Sequence, residues 1–182
     1  MSQVARMLVL SLVLAAFPAL ASATGSITAV EAMTATIFQQ HQSSFSGIGL
    51  RVRLQPPQLV KEISLMPTLE YWRNTSNISS FGIEAVRKDA TLGVDACYLF
   101  PGQTWKGYAG AGFALHFLSN EVDAPTLGLN DATDSLIKGG VAALGGVTFG
   151  LAGRLSNMIE LKYHHIPDHS QLKINWGLSY AL

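Results

Sequence analysis

The chain has 182 residues, with 12 Lys and Arg balanced by 12 Asp and Glu, so its formal net charge at pH 7 is zero. This balance gives no electrostatic case for binding nucleic acid or another polyanion. The single cysteine, Cys97, cannot form an internal disulfide, which excludes a disulfide-stabilised scaffold.

The first 23 residues have the layout of an export signal. Arg6 gives a positively charged start, residues 7–20 form an apolar stretch, and residues 21–23 read Ala-Ser-Ala, a small-residue cleavage site. The apolar stretch is shorter than the roughly 20 residues that a membrane-spanning helix needs. We therefore expect a cleaved signal peptide over residues 1–23 and one exported domain over residues 24–182.

The exported part is predicted to be all-β, because its apolar residues recur every second position rather than with a helical period. Eight strands are predicted, at residues 27–38, 45–55, 62–74, 86–100, 105–118, 137–151, 157–166 and 171–182.

The predicted strands in the first half of the chain differ in how regularly apolar and polar residues alternate. Strand 27–38 alternates poorly, and Glu31 has no obvious partner. In strand 45–55, Arg51 and Arg53 share one face, and in strand 62–74 Glu70 stands opposite the apolar face. Each of the later two strands therefore has one uncharged face and one face that holds polar groups.

The second half continues the pattern. Strands 86–100 and 105–118 place Asp95 and His116 opposite their apolar faces. Strand 137–151 is apolar on both faces, so a transmembrane helix is an alternative there. Its many glycines make it a poor helix former, and we therefore predict a strand. The last strand, 171–182, alternates along its whole length and matches the 9 to 11 tilted residues that cross a bilayer as a strand.

A closed transmembrane barrel fits this pattern. A strand in lipid must have every backbone group paired, so such strands close into a barrel with the uncharged face outward. The charged and polar side chains then form an internal network, namely Arg51, Arg53, Glu70, Asp95, His116, Glu160, Lys162 and Lys173. A soluble exported barrel that binds an apolar ligand is the alternative, and it needs the reverse arrangement.

The connections between strands support the same topology. Short, turn-like segments at 55–58, 101–104 and 153–157 alternate with segments 39–44, 74–85, 119–136 and 167–170. Outer-membrane barrels place tight turns on the periplasmic side and longer loops outside. A different count, which omits the first strand and splits 79–100 into a hairpin, also gives eight strands but loses this alternation.

The end of the chain resembles the C-terminal assembly signal of bacterial outer-membrane proteins through Asn175, Gly177, Tyr180 and Leu182. It departs from the usual pattern in closing on Leu182 instead of Phe or Trp. With the eight strands and the export signal, residues 24–182 resemble the small OmpA/OmpX-like outer-membrane β-barrel family. The resemblance implies residence in the bacterial outer membrane, contact with its lipids, and insertion by the barrel assembly machinery.

The resemblance does not select one activity, because members serve in anchoring, adhesion and host interaction. An eight-stranded barrel is filled by its own side chains, so a general porin is not expected. We expect a structural or surface-interaction role in which outer loops present a surface to a possible ligand, with no cofactor and no enzymatic activity. The acidic third loop, with Glu121, Asp123, Asp131 and Asp134, is predicted to be a solvated loop that keeps the tip of the barrel soluble. Contact with cations or a partner is the alternative for this loop.

The segment 163–170 holds the densest group of chemically capable residues. Imidazole and carboxylate groups suit a transition metal, and the candidates are His164, His165, Asp168 and His169. The two-residue period, however, sends His164 and His165 to opposite faces.

The same segment permits a hydrolase as a second hypothesis. Outer-membrane lipid A deacylases are also eight-stranded barrels with a His and a Ser near the outer rim, and His165 or His169 with Ser170 is similar to that pair. The spacing departs from theirs, because His169 and Ser170 are adjacent and no carboxylate follows Asp168.

Overall fold

The computed structural model describes residues 26–40, 42–57, 59–78, 83–124, 129–167 and 169–182. The predicted signal peptide lies outside these ranges. Among the described residues, no helix is long and apolar enough to cross a membrane. Eight antiparallel strands follow one another around a closed barrel: β1 (Ser26–Gln39), β2 (Phe45–Gln55), β3 (Ile63–Ile78), β4 (Ile83–Phe100), β5 (Trp105–Ala124), β6 (Leu129–Ala152), β7 (Leu155–His165) and β8 (Gln171–Ala181).

The barrel closes through β1 and β8. Their pairing runs from Ala29 with Ala181 to Gln39 with Gln171. The prediction of an all-β, eight-stranded barrel is confirmed, and the different count without a first strand is wrong. β1 alternates poorly in sequence because its inward residues are mostly small or apolar, with Glu31 as the one inward charge among its described residues.

At one end of the barrel, some strands extend further than others. Strands β3 to β6 rise beyond their neighbours, with pairing that continues to Ile78 with Ile83 and to Ala124 with Leu129. Most of the predicted loops 74–85 and 119–136 are therefore strand, which corrects the sequence-based assignment. These segments are rich in Asn, Ser, Thr and Asp, and a hairpin with two polar faces lacks the alternation by which strands are recognised. We call this end the tall rim.

The opposite end carries compact turns, and we call it the short-turn rim. Its connections are residues 56–62, 101–104 and 153–154. The last of these is a two-residue turn in which Gly153 adopts a φ of 57°. A left-handed residue is what such a hairpin turn requires, and glycine adopts it without steric cost.

The outer surface of the barrel is apolar. Trp176 is 61% exposed and Leu161 is 53% exposed, although both lie in the middle of regular strands. The same face carries other large exposed side chains, including Ile48, Leu50, Tyr98, Phe113, Val141, Ile159, Tyr163, Ile174, Leu178 and Tyr180. In a protein surrounded by water, residues of this kind are mainly buried.

Two apolar clusters fill part of the interior. One lies towards the tall rim and consists of Ala35, Ile37, Phe45, Trp72 and Leu118. The other lies towards the short-turn rim and consists of Met66, Cys97, Tyr108 and Leu144, with Leu99 packed against it. The remaining interior is polar, as described below.

Candidate functional site

The charged interior begins with a group of four residues that we call the arginine cluster. The guanidinium of Arg51 contacts two carboxylates, with Nε 2.6 Å from Glu31 Oε2 and Nη1 2.6 Å from Glu160 Oε2. Arg53 Nη2 lies 2.6 Å from the other oxygen of Glu31. Arg51, Glu31 and Glu160 are almost completely buried. Two positive and two negative charges are thus paired in the interior.

Neutral side chains complete the hydrogen bonding of these carboxylates. Glu160 accepts from Tyr108 Oη at 2.9 Å and from Asn175 Nδ2 at 2.7 Å. Glu31 accepts from Ser179 Oγ at 3.2 Å. Buried ion pairs are tolerated when further hydrogen bonds satisfy their lone pairs, and this cluster meets that condition at both carboxylates.

A second group, the lysine cluster, contains two lysines and two carboxylates. Lys162 Nζ lies 2.6 Å from Asp95 Oδ2 and 3.7 Å from Glu70 Oε1. Lys173 Nζ donates to Glu70 Oε2. All four side chains are buried, and their charges again sum to zero.

A third group is built around two buried histidines. His116 Nδ1 lies 2.8 Å from Asp89 Oδ2 and 3.0 Å from Thr91 Oγ1. His116 Nε2 lies 3.2 Å from His164 Nδ1, and the two rings meet edge to face. An Nδ1–H on His116 that donates to Asp89 leaves Nε2 to accept the proton of His164 Nδ1, which is a tautomer assigned from the contacts.

Glycines on the inner wall leave the space that these long side chains occupy. A Cβ on Gly146 would lie 2.5 Å from Tyr108 Oη, and a Cβ on Gly112 would collide with the Asp95 carboxylate. The interior is therefore filled by large side chains that pack against glycines on the neighbouring strands. Chemically, the three clusters tie facing strands to one another.

All eight residues predicted to form the internal network point into the barrel in the structure, and these are Arg51, Arg53, Glu70, Asp95, His116, Glu160, Lys162 and Lys173. Sequence reasoning missed Glu31 and Asp89 as members. Asp89 lies six positions before Asp95 on the same face, so the two-residue period could have identified it. Glu31 gave no such indication, because the other inward residues of β1 carry no charge and the strand alternates poorly in sequence.

The residues proposed for a metal site are divided by the wall of the barrel. His164 lies inside and is buried, whereas His165 is exposed on the outer side. His169 follows in the connection to β8, and Asp168 lies outside the described residues. Within the described ranges, no group of three or more His, Cys, Asp or Glu side chains is placed to hold a metal ion.

The residues proposed for a hydrolase come together in part. His165 Nδ1 lies 3.2 Å from Ser170 Oγ at the tall rim, and Ser170 Oγ also donates to the carbonyl of Ile166 at 3.4 Å. His169 is not in this contact. Among the described residues, no carboxylate is hydrogen-bonded to His165, so a base and a hydroxyl are present without an acidic partner to orient the base.

The proposed assembly residues occupy the closing seam and the outer face of β8. Asn175 is buried against Glu160. Gly177 faces β1, where a Cβ would collide with the carbonyl of Ala32. Tyr180 and Leu182 are exposed on the apolar outer surface.

The acidic residues of the predicted third loop lie on the tall rim. Both oxygens of Glu121 lie 2.7 Å from Lys88 Nζ, in a partly exposed ion pair between β4 and β5. Asp134 is exposed. Exposed ion pairs of this kind contribute little to stability. This surface can therefore contact a partner without loss of a stabilising interaction.

Comparisons with solved structures identify the fold. The chain is similar to Neisserial surface protein A, with a TM-score of 0.59 and 18% identity, over 85% of this chain and 96% of that chain. It is similar to Ail, the attachment invasion locus protein of Yersinia pestis, with a TM-score of 0.58 and 12% identity, over 86% and 97%. That protein has also been solved with the heparin analogue sucrose octasulfate.

A third similar structure is the N-terminal β-barrel domain of Pseudomonas aeruginosa OprF, with a TM-score of 0.56 and 13% identity, over 86% of this chain and 98% of that one. No protein-family model and no curated protein matches the sequence. The chain therefore has the fold of the small eight-stranded outer-membrane β-barrels, and the recognition of that fold from sequence is confirmed.

Proposed function

We propose that this protein is a bacterial outer-membrane barrel with a structural or surface-interaction role, exported by a signal peptide over residues 1–23. The observation that carries the proposal is the inverted distribution of side chains. In the middle of the strands, large exposed residues such as Leu161 and Trp176 are apolar, whereas Arg51, Lys162 and Lys173 are buried. A surface of this kind is stable against hydrocarbon and is unfavourable in water.

The interior argues against the soluble alternative. A barrel that binds an apolar ligand needs an apolar cavity, yet the interior of the described residues holds three polar clusters and two packed apolar ones. The same packing opposes a general porin, because eight strands enclose only enough space for their own side chains.

The proposed orientation places the short-turn rim in the periplasm and the tall rim outside the cell, as compact turns and taller hairpins are distributed in such barrels. The tall rim is then the surface that meets partners. The heparin-analogue complex of the Yersinia pestis protein is a precedent for a soluble ligand on this fold. Outer-membrane lipids and the barrel assembly machinery are the other partners, with β8 as the strand that the machinery recognises.

Cysteine labelling on intact cells tests location and orientation together. In a Cys97→Ala background, Asp134→Cys on the tall rim is expected to react with a membrane-impermeant maleimide. Arg154→Cys on the short-turn rim is expected to react only after the outer membrane is permeabilised. Cell fractionation and a gel run with and without boiling give the folded state, since closed barrels migrate differently when unfolded. A soluble periplasmic protein, or labelling of Arg154→Cys alone on intact cells, would contradict the proposal.

A hydrolase that acts on lipid A is a second candidate, favoured by the 3.2 Å contact between His165 and Ser170. Both residues lie at the tall rim, where the outer leaflet would meet the barrel. The test compares the mass spectrum of lipid A from cells that express the wild type, Ser170→Ala or no protein. Loss of an acyl chain that depends on Ser170 would establish the enzyme, and identical spectra would remove it.

A further inference from the structure

A recess of about 200 Å³ opens at the short-turn rim. Its inner wall includes Tyr108 and Thr148, which are buried, and Leu99, which packs against the inner apolar cluster. Its outer wall includes Phe100 at the end of β4. Pockets for drug-sized ligands have volumes of roughly 300–1,000 Å³. This recess therefore suits a smaller group.

The charge at the recess is positive. Arg53, Lys61 and Lys106 line it, and Glu62 is the one acidic residue among its described lining. Within the described part of the chain, neither Lys61 nor Lys106 forms an ion pair, in contrast to the interior lysines. Clustered cations without acidic partners attract an anion.

Arg53 contributes a donor that is already in place. Its Nη2 is occupied by Glu31, whereas its Nε is buried and has no hydrogen-bond partner among the described residues. A buried donor without a partner is costly, and an acceptor atom brought by a ligand would remove that cost. The Arg53 guanidinium also lies over the Tyr108 ring, with Cζ 6.0 Å from the ring centre, and both residues line the recess.

The turn that carries Lys61 is ordered by hydrogen bonds. Gln55 Nε2 donates to the carbonyls of Val60 at 3.3 Å and Ile63 at 2.9 Å. The amide of Leu99 donates to the carbonyl of Glu62 at 2.6 Å. The position of Lys61 relative to β4 and β5 is thus set by the fold.

Aromatic side chains mark the depth at which the recess opens. Phe100, which lines it, packs against Tyr98 on the outer surface, with ring centres 5.1 Å apart. Trp105 and Phe149 form a second pair at the same rim, also with centres 5.1 Å apart. Aromatic residues of membrane barrels gather at the level of the lipid headgroups.

We propose that this recess binds a phosphate-bearing anion, supplied by the headgroup of an anionic lipid in the leaflet that surrounds the short-turn rim. The inference rests on the proposed function, because only a membrane-inserted barrel brings a headgroup to this position. Lys61 holds the anion from the turn between β2 and β3, and Lys106 holds it from the start of β5. Arg53 donates from the floor, and Phe100 on the outer surface contacts the start of the lipid chains.

The test is a titration of the protein, purified from the membrane fraction in a non-ionic detergent and followed by the amide resonances of Lys106, Gly107 and Thr148. The probes are dihexanoyl phosphatidylglycerol, the zwitterion dihexanoyl phosphatidylcholine, and inorganic phosphate. We expect saturable shifts with phosphatidylglycerol and much weaker ones with phosphatidylcholine. Equal shifts with both lipids would show binding of the chains alone and overturn the proposal.

Inorganic phosphate separates the two sources of the anion. No shift with phosphate, beside a shift with phosphatidylglycerol, supports the lipid headgroup. The same shifts at similar concentrations of phosphate would keep the anion site but overturn the lipid as its source. An absence of saturable shifts with every probe overturns the site itself.

Matched variants show whether the recess itself or the general positive charge of the rim binds the phosphatidylglycerol probe. Lys61→Gln and Lys106→Gln are each expected to weaken binding about fivefold, as for a partly exposed ion pair. Arg154→Gln removes a positive charge from the same rim but does not line the recess, so it is expected to leave affinity unchanged. An equal loss in all three variants would overturn the proposal.

The proposed function is tested separately by maleimide labelling and by the gel. A barrel that fails those tests yet binds phosphate loses its membrane assignment, whereas one that passes them without binding the probes loses only this site. Retention of the heat-modifiable band by each variant shows that it is folded.

Discussion

At the residue scale, Arg51 has the widest influence, because it neutralises two buried carboxylates from different strands. Tyr108 has a related task, since its hydroxyl joins Glu160 and also lies 3.3 Å from Arg51 Nη2. Each of these side chains depends on the presence of the other, and the glycine at 146 makes room for the phenol.

Replacement of Arg51 by Met is expected to destabilise the folded barrel by about 3–5 kcal/mol, because Glu31 and Glu160 would lose their shared cation in the interior. Urea-induced unfolding in phospholipid vesicles measures the change. Arg154→Met, in an exposed turn, serves as the control and is expected to shift the free energy of unfolding by no more than about 0.5 kcal/mol. Equal effects of the two variants would contradict the role of the arginine cluster.

Gly146 and its neighbour Gly145 provide a matched pair. Gly146→Ala places a Cβ 2.5 Å from Tyr108 Oη, whereas the nearest atom to a Cβ at Gly145 is 3.8 Å away. A Cβ at Gly146 would also lie 2.8 Å from the carbonyl oxygen of Ile159. We expect Gly146→Ala to cost about 1–3 kcal/mol through overpacking, with little change for Gly145→Ala. The same urea unfolding compares them, and a neutral Gly146→Ala would contradict tight packing of Tyr108 against this strand.

At the element scale, the strands carry opposite environments on their two faces, and β7 shows this most clearly. Glu160, Lys162 and His164 are buried, whereas Ile159, Leu161 and Tyr163 are exposed. The short strands β1, β2, β7 and β8 form one side of the barrel, and the taller strands β3 to β6 form the other.

Leu161→Arg tests which solvent surrounds these strands. In a bilayer, an arginine near the midplane of the outer face is expected to cost about 2–4 kcal/mol, and one near the interface about 0–1 kcal/mol. Leu151→Arg, at the short-turn end of β6, provides the interfacial control. Unfolding in vesicles measures both changes, and a neutral or stabilising Leu161→Arg would mean that the outer face meets water.

The strands differ in how far the sequence predicts them. β8 alternates at every position, and its predicted range ends one residue beyond the observed one. The ends of β5 and β6 at the tall rim are not predictable in this way, because their residues are mostly polar or small and show no apolar period.

The interior residues were predictable by face but not by partner. The two-residue period of β7 predicts that the side chains of Glu160 and Lys162 point into the barrel. The pairing of Arg51 on β2 with Glu160 on β7, across the barrel, depends on the stagger of all eight strands, which no local pattern encodes. The contact of His116 with His164 arises for the same reason.

At the scale of the whole molecule, polar and apolar side chains pack the interior of the barrel. The charges of its arginine and lysine clusters each sum to zero, and apolar clusters lie towards both rims. We expect a packed interior of this kind to block the passage of solutes.

The purified protein in planar bilayers is accordingly expected to show no stable pore conductance. The Arg51→Met variant should remain closed as well, because the apolar clusters are unchanged. Steady conductance steps from the wild type at low voltage would contradict a filled interior and would reopen a transport function.

The central claim is that the apolar outer face of the barrel contacts lipid. Its most direct test is a nitroxide label on Leu161→Cys, in the Cys97→Ala background and in lipid vesicles, with collision rates measured for oxygen and for a water-soluble nickel chelate. We expect frequent collisions with oxygen and few with nickel at this position, and the reverse for a label on Asp134→Cys at the tall rim. Nickel access at Leu161→Cys equal to that at Asp134→Cys would show that water surrounds the barrel and would contradict the claim.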